Sequence, residues 1–257
     1  MRRRYIFFDI DGTLAVGTPG RQYVPDSARR AVRMLEDAGH FVAIATGRAH
    51  AMAVDTMREL GFRNMVSDGG YGVTVDGKFL GAEPLPREEV IALIDECQAK
   101  GFIWGIQADD SDSRLVPDER FMAATHDVYM RTRVVPGLDP RAYPKLYKAY
   151  IACEAPREQE LEALRRLPWC RFHKEYLFVE PADKAHGIKR IVDRLGGDYA
   201  DVVVFGDEKN DYSMFLPEWT SVAMGNAIPG LKERASYVTA DAADDGIYKA
   251  CEHLGLF

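Results

Sequence analysis

The sequence predicts an α/β protein, a Rossmann-like parallel sheet with helices on both faces, interrupted by a smaller inserted α+β domain. Three observations predict it. Apolar strand-like runs alternate with helical stripes through about the first 75 residues, the alternation gives way from about Gly81 to Val179, and it returns after Lys184. A chain of 257 residues is also long for one domain and short for two full ones, as a main domain with a sizeable insertion would be. The expected division is a core from residues 1–80 and 180–257 and an insert from residues 81–179.

Each element has a local reason. Tyr5 to Phe8 is a short apolar run entering Asp9, and Phe41 to Ala45 is another entering Thr46. Between them Ala28, Ala31, Val32 and Leu35 fall at helical spacing, with Pro25-Asp26-Ser27 as a start and Gly39 as a stop. A second helix is expected over Ala49 to Leu60, closed by Gly61. Val73 to Phe79 reads as a hairpin turning at Asp76-Gly77, because that dipeptide accepts the positive φ of a tight hairpin turn. In the insert, Val90, Leu93, Ile94 and Cys97 repeat at helical spacing before Gly101, and Pro156 followed by Leu161 and Leu164 suggests another helix. Phe102 to Ile106 and Leu146 to Ile151 are strand candidates in a region whose strands read as solvent-facing on one side. After Lys184, the stripe Ile188, Ile191, Val192 and Leu195 ends at Gly196-Gly197, and Val202 to Phe205 enters Gly206-Asp207.

Composition narrows the class. A hydrophobic content of 47% is ample for a buried core, and a formal charge of -7 argues against binding a phosphate backbone, which needs clustered Lys and Arg. Arg2-Arg3-Arg4 resembles the start of a signal peptide, yet Asp9 interrupts the following apolar run far too soon for its hydrophobic segment. No other stretch approaches the roughly 20 apolar residues of a spanning helix. The expectation is a soluble, cytoplasmic protein with neither nucleic acid nor membrane as partner. Cys97, Cys153, Cys170 and Cys251 are widely spaced, with no C-x-x-C pair to suggest zinc or redox chemistry. H-x-x-x-H, G-x-S-x-G and G-x-x-x-x-G-K-[ST] patterns are absent too.

What recurs is a polar group just beyond an apolar strand. In open parallel sheets ligands bind outside the carboxyl ends of the strands, where Asp9, Thr46 and Asp207 would meet. Each segment alone has a plain reading as a turn or a helix cap. Crowded carboxylates repel, by about 4 kcal/mol for two unit charges near 4 Å at an effective dielectric near 20, so a cation is implied. Oxygen-only ligands with few protein carboxylates and room for water favour Mg2+.

Taken together, Asp9-Ile10-Asp11-Gly12-Thr13-Leu14, Ala45-Thr46-Gly47-Arg48, Lys184 and Gly206-Asp207 through Asn210-Asp211 resemble the four motifs of the haloacid dehalogenase superfamily of phosphohydrolases. The branch it resembles is the Cof type, with a large type IIB cap between the second and third motifs. Val222 to Ala227, Tyr237-Val238-Thr239 and Asp244 to Ile247 also follow that branch's pattern. The resemblance covers the core, and nothing in the insert identifies a substrate. It implies that Asp9 attacks phosphorus to form an aspartyl-phosphate and that Asp11 serves as acid, then base. It implies Mg2+ ligands from the Asp9 and Asp207 side chains and the Asp11 backbone carbonyl, with Asp211 orienting metal-bound water or Lys184 from outside the coordination sphere. Thr46, Gly47, Lys184 and Asn210 would bind the phosphoryl group.

Two departures from the branch concern its loops. Asp68-Gly69-Gly70 stands where Asn-Gly-Ala is usual, and is read as turn geometry without a direct role for Asp68. Ala185 replaces a common Gly after Lys184, and the helix is expected to start nearer His186-Gly187, with His186 a surface residue. Arg48 is read as an ion-pair partner in preference to a substrate contact. Among Arg114, His126, Arg131 and Lys145, sequence does not single out pocket residues. The implied function is a Mg2+-dependent phosphatase of small phosphorylated metabolites, sugar phosphates or cofactor- and nucleotide-like phosphates. The alternatives are a phosphosugar mutase of the same fold and a non-catalytic phosphometabolite-binding protein.

Overall fold

The structure, a computed structural model, describes residues 2–17, 21–171 and 173–257. In chain order its strands and helices are β1 (Tyr5–Phe8), α1 (Asp26–Asp37), β2 (Phe41–Ala45), α2 (His50–Glu59), β3 (Met65–Ser67), β4 (Gly72–Val75) and β5 (Lys78–Ala82). There follow α3 (Arg87–Ala99), β6 (Ile103–Gln107), β7 (Ser113–Val116), α4 (Arg120–Thr125), β8 (Arg131–Val134), β9 (Lys148–Ala152), β10 (Trp169–Cys170) and β11 (Tyr176–Val179). The chain closes with α5 (Lys184–Arg194), β12 (Val202–Gly206), β13 (Thr220–Ala223), α6 (Pro229–Arg234), β14 (Tyr237–Val238) and α7 (Gly246–His253). No helix among the described residues is long and apolar enough to cross a membrane.

Two units of structure emerge, one from Met1–Arg48, Ala53–Gly81 and Asp183–Phe257, the other from Ala49–Met52 and Ala82–Ala182. In the first, eight strands lie in the order β14-β13-β12-β1-β2-β3-β4-β5. From β14 to β3 neighbouring strands are parallel, and β4 turns back antiparallel to β3. Alternation along β1 feeds two cores. Ile6 and Phe8 pack with Ala28, Ala31, Val32 and Leu35 of α1 and with Ile247, Ala250 and Cys251 of α7. Tyr5 and Phe7 pack on the other face with Ile188, Ile191 and Val192 of α5. Covering both faces is what a parallel sheet requires, and it explains why these strands read as continuous apolar runs. The fold is the α/β sheet that the alternation predicts.

The second unit holds a six-stranded sheet in the order β10-β11-β9-β6-β7-β8, antiparallel except for the β7–β8 pair. One face packs α3, through Val90, Leu93, Ile94 and Cys97, onto Trp104, Ile106, Ala149 and Ile151. The other face is not the solvent-facing surface that the sequence suggests. Tyr150, Tyr176 and Phe178 are buried there with Phe121 of α4. The helix expected after Pro156 is also absent. Two separate 3₁₀ turns, Arg157–Glu160 and Ala163–Arg166, flank an extended Leu161. The Glu96 carboxylate of α3 accepts the N–H groups of Glu162 and Ala163 at 3.0 and 2.9 Å, giving those donors a side-chain partner in place of a carbonyl of their own segment.

Candidate active site

Three adjacent parallel strands deliver the expected residues to one edge. Asp9 follows β1, Thr46 follows β2 and Asp207 follows β12, with β1 lying between the other two. The Asp9 N–H still donates to Phe205 at 3.0 Å and the Thr46 N–H to Val66 at 2.9 Å, so sheet hydrogen bonds fix both positions. Lys184 arrives from a different direction, as the first residue of α5. That helix begins earlier than the expected His186-Gly187, because the Asp183 side chain caps it by accepting from the His186 N–H at 3.2 Å.

Lys184 ties the strand ends together. Its Nζ donates to Asp9 Oδ1 and to Asp211 Oδ1, each at 2.5 Å, and all three side chains are buried. The second oxygen of Asp211 accepts from the N–H groups of Asp207 at 2.8 Å and Glu208 at 3.1 Å. Asp211 therefore positions both the lysine and the turn that carries Asp207. Asp9, Asp207 and Asp211 each present a carboxylate oxygen, and these lie within 4.8 Å of one another.

The electrostatics of this cluster are costly. Burial pushes the Asp9 carboxyl up to about 8, with Lys184 pulling it down and Asp211 and Asp207 adding to the rise. Burial likewise pushes Asp207 up to about 7, opposed by the Thr13 hydroxyl and reinforced by Asp211. Burial works against the Lys184 ammonium, but Asp211 and Asp9 outweigh it and hold the group well above the ordinary lysine range. Three carboxylates around one ammonium leave negative charge uncompensated. An oxygen-only donor set of this kind suits a hard divalent cation.

The loop after β1 is built around a close approach. Gly12 has φ +91°, and a Cβ there would lie 2.1 Å from Asp207 Oδ2. Thr13 Oγ1 donates to Asp207 Oδ1 at 2.8 Å, and Asn226 Nδ2 donates to the Gly12 carbonyl at 2.8 Å while its Oδ1 accepts from the Ala242 N–H at 2.9 Å. Thr13 and Asn226 lie inside the sequence segments that follow the branch pattern, but no role was legible there for either. Asp11 points elsewhere. Its side chain is outside the acidic cluster and pairs with Arg48 and Gln22.

The remaining expected residues sit around the same edge. The Arg48 N–H donates to Thr46 Oγ1 at 3.2 Å, and Asn210 Nδ2 would lie 4.0 Å from a Cβ built on Gly47. Asn210 Oδ1 is buried without a hydrogen-bond partner. Asp68 has φ +52° and its carboxylate accepts from Ser67 Oγ at 2.8 Å, while Gly70, at φ +111°, would place a Cβ 1.8 Å from the Asp183 carbonyl. The glycine thus lets this loop pack against the residue that caps α5. His186 sits in the first turn of that helix with its ring 5.1 Å from Tyr71.

A parallel α/β sheet with a buried lysine and an acidic, cation-ready cluster at its carboxyl edge defines a hydrolase-type site for an anionic ester. The sequence profile of the haloacid dehalogenase-like hydrolases matches residues 6–251. A Bacillus subtilis (strain 168) protein named "Putative phosphatase YkrA" is 31% identical over 260 residues, covering 100% of this chain and 99% of that one. Pyridoxal phosphate phosphatase YbhA of Escherichia coli (strain K12) is 28% identical over 281 residues, covering 96% and 97%. The crystal structure of a hypothetical protein from Geobacillus kaustophilus HTA426 superposes with a TM-score of 0.84 at 33% identity, over 100% of both chains. The chain belongs to the haloacid dehalogenase-like hydrolase family.

Proposed function

We propose that the protein is a Mg2+-dependent phosphomonoesterase that hydrolyses small phosphorylated metabolites in the cytoplasm through an aspartyl-phosphate on Asp9. The observation that carries this is the buried Asp9 carboxylate, held by Lys184 beside the Asp207 and Asp211 carboxylates at the ends of parallel strands. Its substrate class is sugar phosphates or cofactor-like phosphates, the latter in keeping with the pyridoxal phosphate phosphatase among its relatives.

Asp9, Asp207 and the Asp11 backbone carbonyl would hold Mg2+, which when bound offsets the negative charge of the site and of the phosphate. A carboxylate oxygen of Asp9 attacks phosphorus in line, forming an O–P bond as the ester O–P bond breaks. Asp11 gives its proton to the departing alcohol oxygen. It then takes a proton from water, which attacks the same phosphorus and frees both inorganic phosphate and the Asp9 carboxylate. Thr46, Gly47, Lys184 and Asn210 hold the phosphoryl oxygens, and Asp211 keeps Lys184 in place. The insert over residues 81–179 acts as the cap that selects the leaving group.

Incubating the protein with Mg2+ and a panel containing p-nitrophenyl phosphate, hexose phosphates and pyridoxal phosphate tests this by release of inorganic phosphate. Asp9→Asn should lower turnover by about 10³-fold or more while the circular dichroism spectrum is unchanged. Near-normal turnover in that variant would sink the mechanism, and conversion of a hexose 1-phosphate into an isomer without phosphate release would identify a mutase.

A further inference from the structure

Asp11, the acid and base of the proposed reaction, has both carboxylate oxygens engaged by other side chains. Arg48 Nη2 donates to its Oδ1 at 2.6 Å, Arg48 Nε to its Oδ2 at 3.2 Å, and Gln22 Nε2 to its Oδ1 at 2.8 Å. Each carboxylate oxygen is therefore engaged by a two-pronged guanidinium. That fork matches two oxygens of a phosphate as well as it matches a carboxylate. Arg48 also directly follows Thr46 and Gly47 on the loop leaving β2, so its guanidinium rises from the segment assigned to the phosphoryl group. Water reaches the pair, whose side chains are 24% and 48% exposed.

The geometry points to an exchange of partners: Arg48 is a phosphate ligand that the Asp11 carboxylate occupies while no ester is bound, and an arriving phosphate dianion takes the guanidinium and frees the Asp11 carboxylate to take from solvent the proton it then gives to the leaving oxygen. A partly exposed ion pair is weak, being screened by solvent, so a dianion able to engage the same fork can displace it. Gln22, bound only to Oδ1, leaves Oδ2 free once Arg48 departs. Coupling release of the acid to arrival of the ester keeps Asp11 from acting before a phosphate is in place. This inference rests on the phosphatase reading.

The test is a double-mutant cycle read as binding, with no turnover required. The dissociation constant of radiolabelled inorganic phosphate is measured by equilibrium dialysis at fixed Mg2+ for the wild type, Asp11→Asn, Arg48→Ala and the double variant. If Asp11 competes with phosphate for Arg48, Asp11→Asn tightens phosphate by roughly 5-fold when Arg48 is present and by clearly less when it is alanine. Equal or greater tightening in the alanine background overturns the exchange, since Asp11 would then act only by direct repulsion. Should Arg48→Ala fail to fold by circular dichroism, Arg48→Lys replaces it in the cycle. That variant keeps the charge without the fork and should show a smaller coupling of the same sign, whereas undiminished coupling overturns the role of the fork. Failure of the wild type to bind phosphate or hydrolyse its esters overturns the phosphatase reading itself. Binding and hydrolysis without coupling overturn the exchange alone.

Discussion

Lys184 Nζ lies 2.5 Å from Asp9 Oδ1 in a buried setting, and it bridges to Asp211 at the same distance. Replacing it by methionine keeps the volume of the chain but leaves two buried carboxylates facing each other. Lys184→Met should reduce kcat/KM for p-nitrophenyl phosphate by roughly 10²–10³-fold, the cost of removing one pre-placed electrostatic stabiliser. Steady-state kinetics check this, and an effect below about threefold would show that Lys184 only fills space.

Metal removal should expose the strain in the acidic cluster as a pH dependence of stability. The Asp9 and Asp207 carboxyls are raised in the folded protein, to about 8 and about 7, from ordinary values near 4. Between those limits the folded chain binds more protons than the unfolded one, so stability falls as pH rises from about 4 to about 8. In the presence of a chelator, the melting temperature should therefore drop across pH 5 to 8 by more than it does with saturating Mg2+. Thermal unfolding followed by circular dichroism in both conditions decides it, and parallel curves would show that no cation binds the cluster.

Gly12→Ala tests the close approach on which the cluster depends. The new methyl would lie 2.1 Å from Asp207 Oδ2, and φ of +91° is one that alanine rarely adopts. Either the loop after β1 or the Asp207 carboxylate must move, and the Thr13 and Asn226 hydrogen bonds move with it. Mg2+ affinity, measured by calorimetry, should weaken by about 10-fold or more, on the scale seen when groups orienting a metal ligand are lost. Asn226→Ala should follow in the same direction with a smaller effect, because it removes the hydrogen bonds to the Gly12 carbonyl and from the Ala242 N–H without adding a clash.

How much of this was legible in the sequence depends on the range of the interaction. Tyr5–Phe8, Phe41–Ala45 and Val202–Phe205 announce themselves because a strand covered on both faces must be apolar throughout, and the polar residue that follows each is carried to the sheet's edge. The start of α5 lies two residues before the expected His186, because the Asp183 side chain caps the helix there. The Pro156–Arg166 segment has helical spacing, yet the N–H groups of Glu162 and Ala163 in its middle are claimed by Glu96, 66 positions before Glu162. Pairings such as Arg48 with Asp11 and Asn226 with the Gly12 carbonyl are likewise set by tertiary placement, which no spacing rule encodes. The aromatic face of the second sheet was hidden for another reason, since Tyr and Lys at alternate positions of β9 read as solvent-facing until Phe121 of α4 is seen to pack with Tyr150 and Glu180 to pair with Lys148.

That aromatic face contains a charge whose removal gives the last prediction. Arg114 is fully buried, ion-paired with Asp127, hydrogen-bonded through Nε to Thr132 Oγ1 at 3.0 Å, and stacked 4.7, 5.2 and 5.5 Å from the rings of Phe121, Tyr150 and Tyr176. Burial alone would push the Asp127 carboxyl up, but Arg114 and the Tyr129 N–H together hold it below the ordinary range. Arg114→Met therefore does more than delete a contact: it leaves a carboxylate in an apolar cluster without its counter-charge. The expected loss is about 3–5 kcal/mol by urea unfolding. Because Arg114 Nη1 is itself buried without a partner, the native pair is imperfectly satisfied, and the double variant Arg114→Met/Asp127→Leu should recover most of that loss. A double variant as unstable as the single one would mean that the guanidinium stacked on three rings, and not the ion pair, holds this face together.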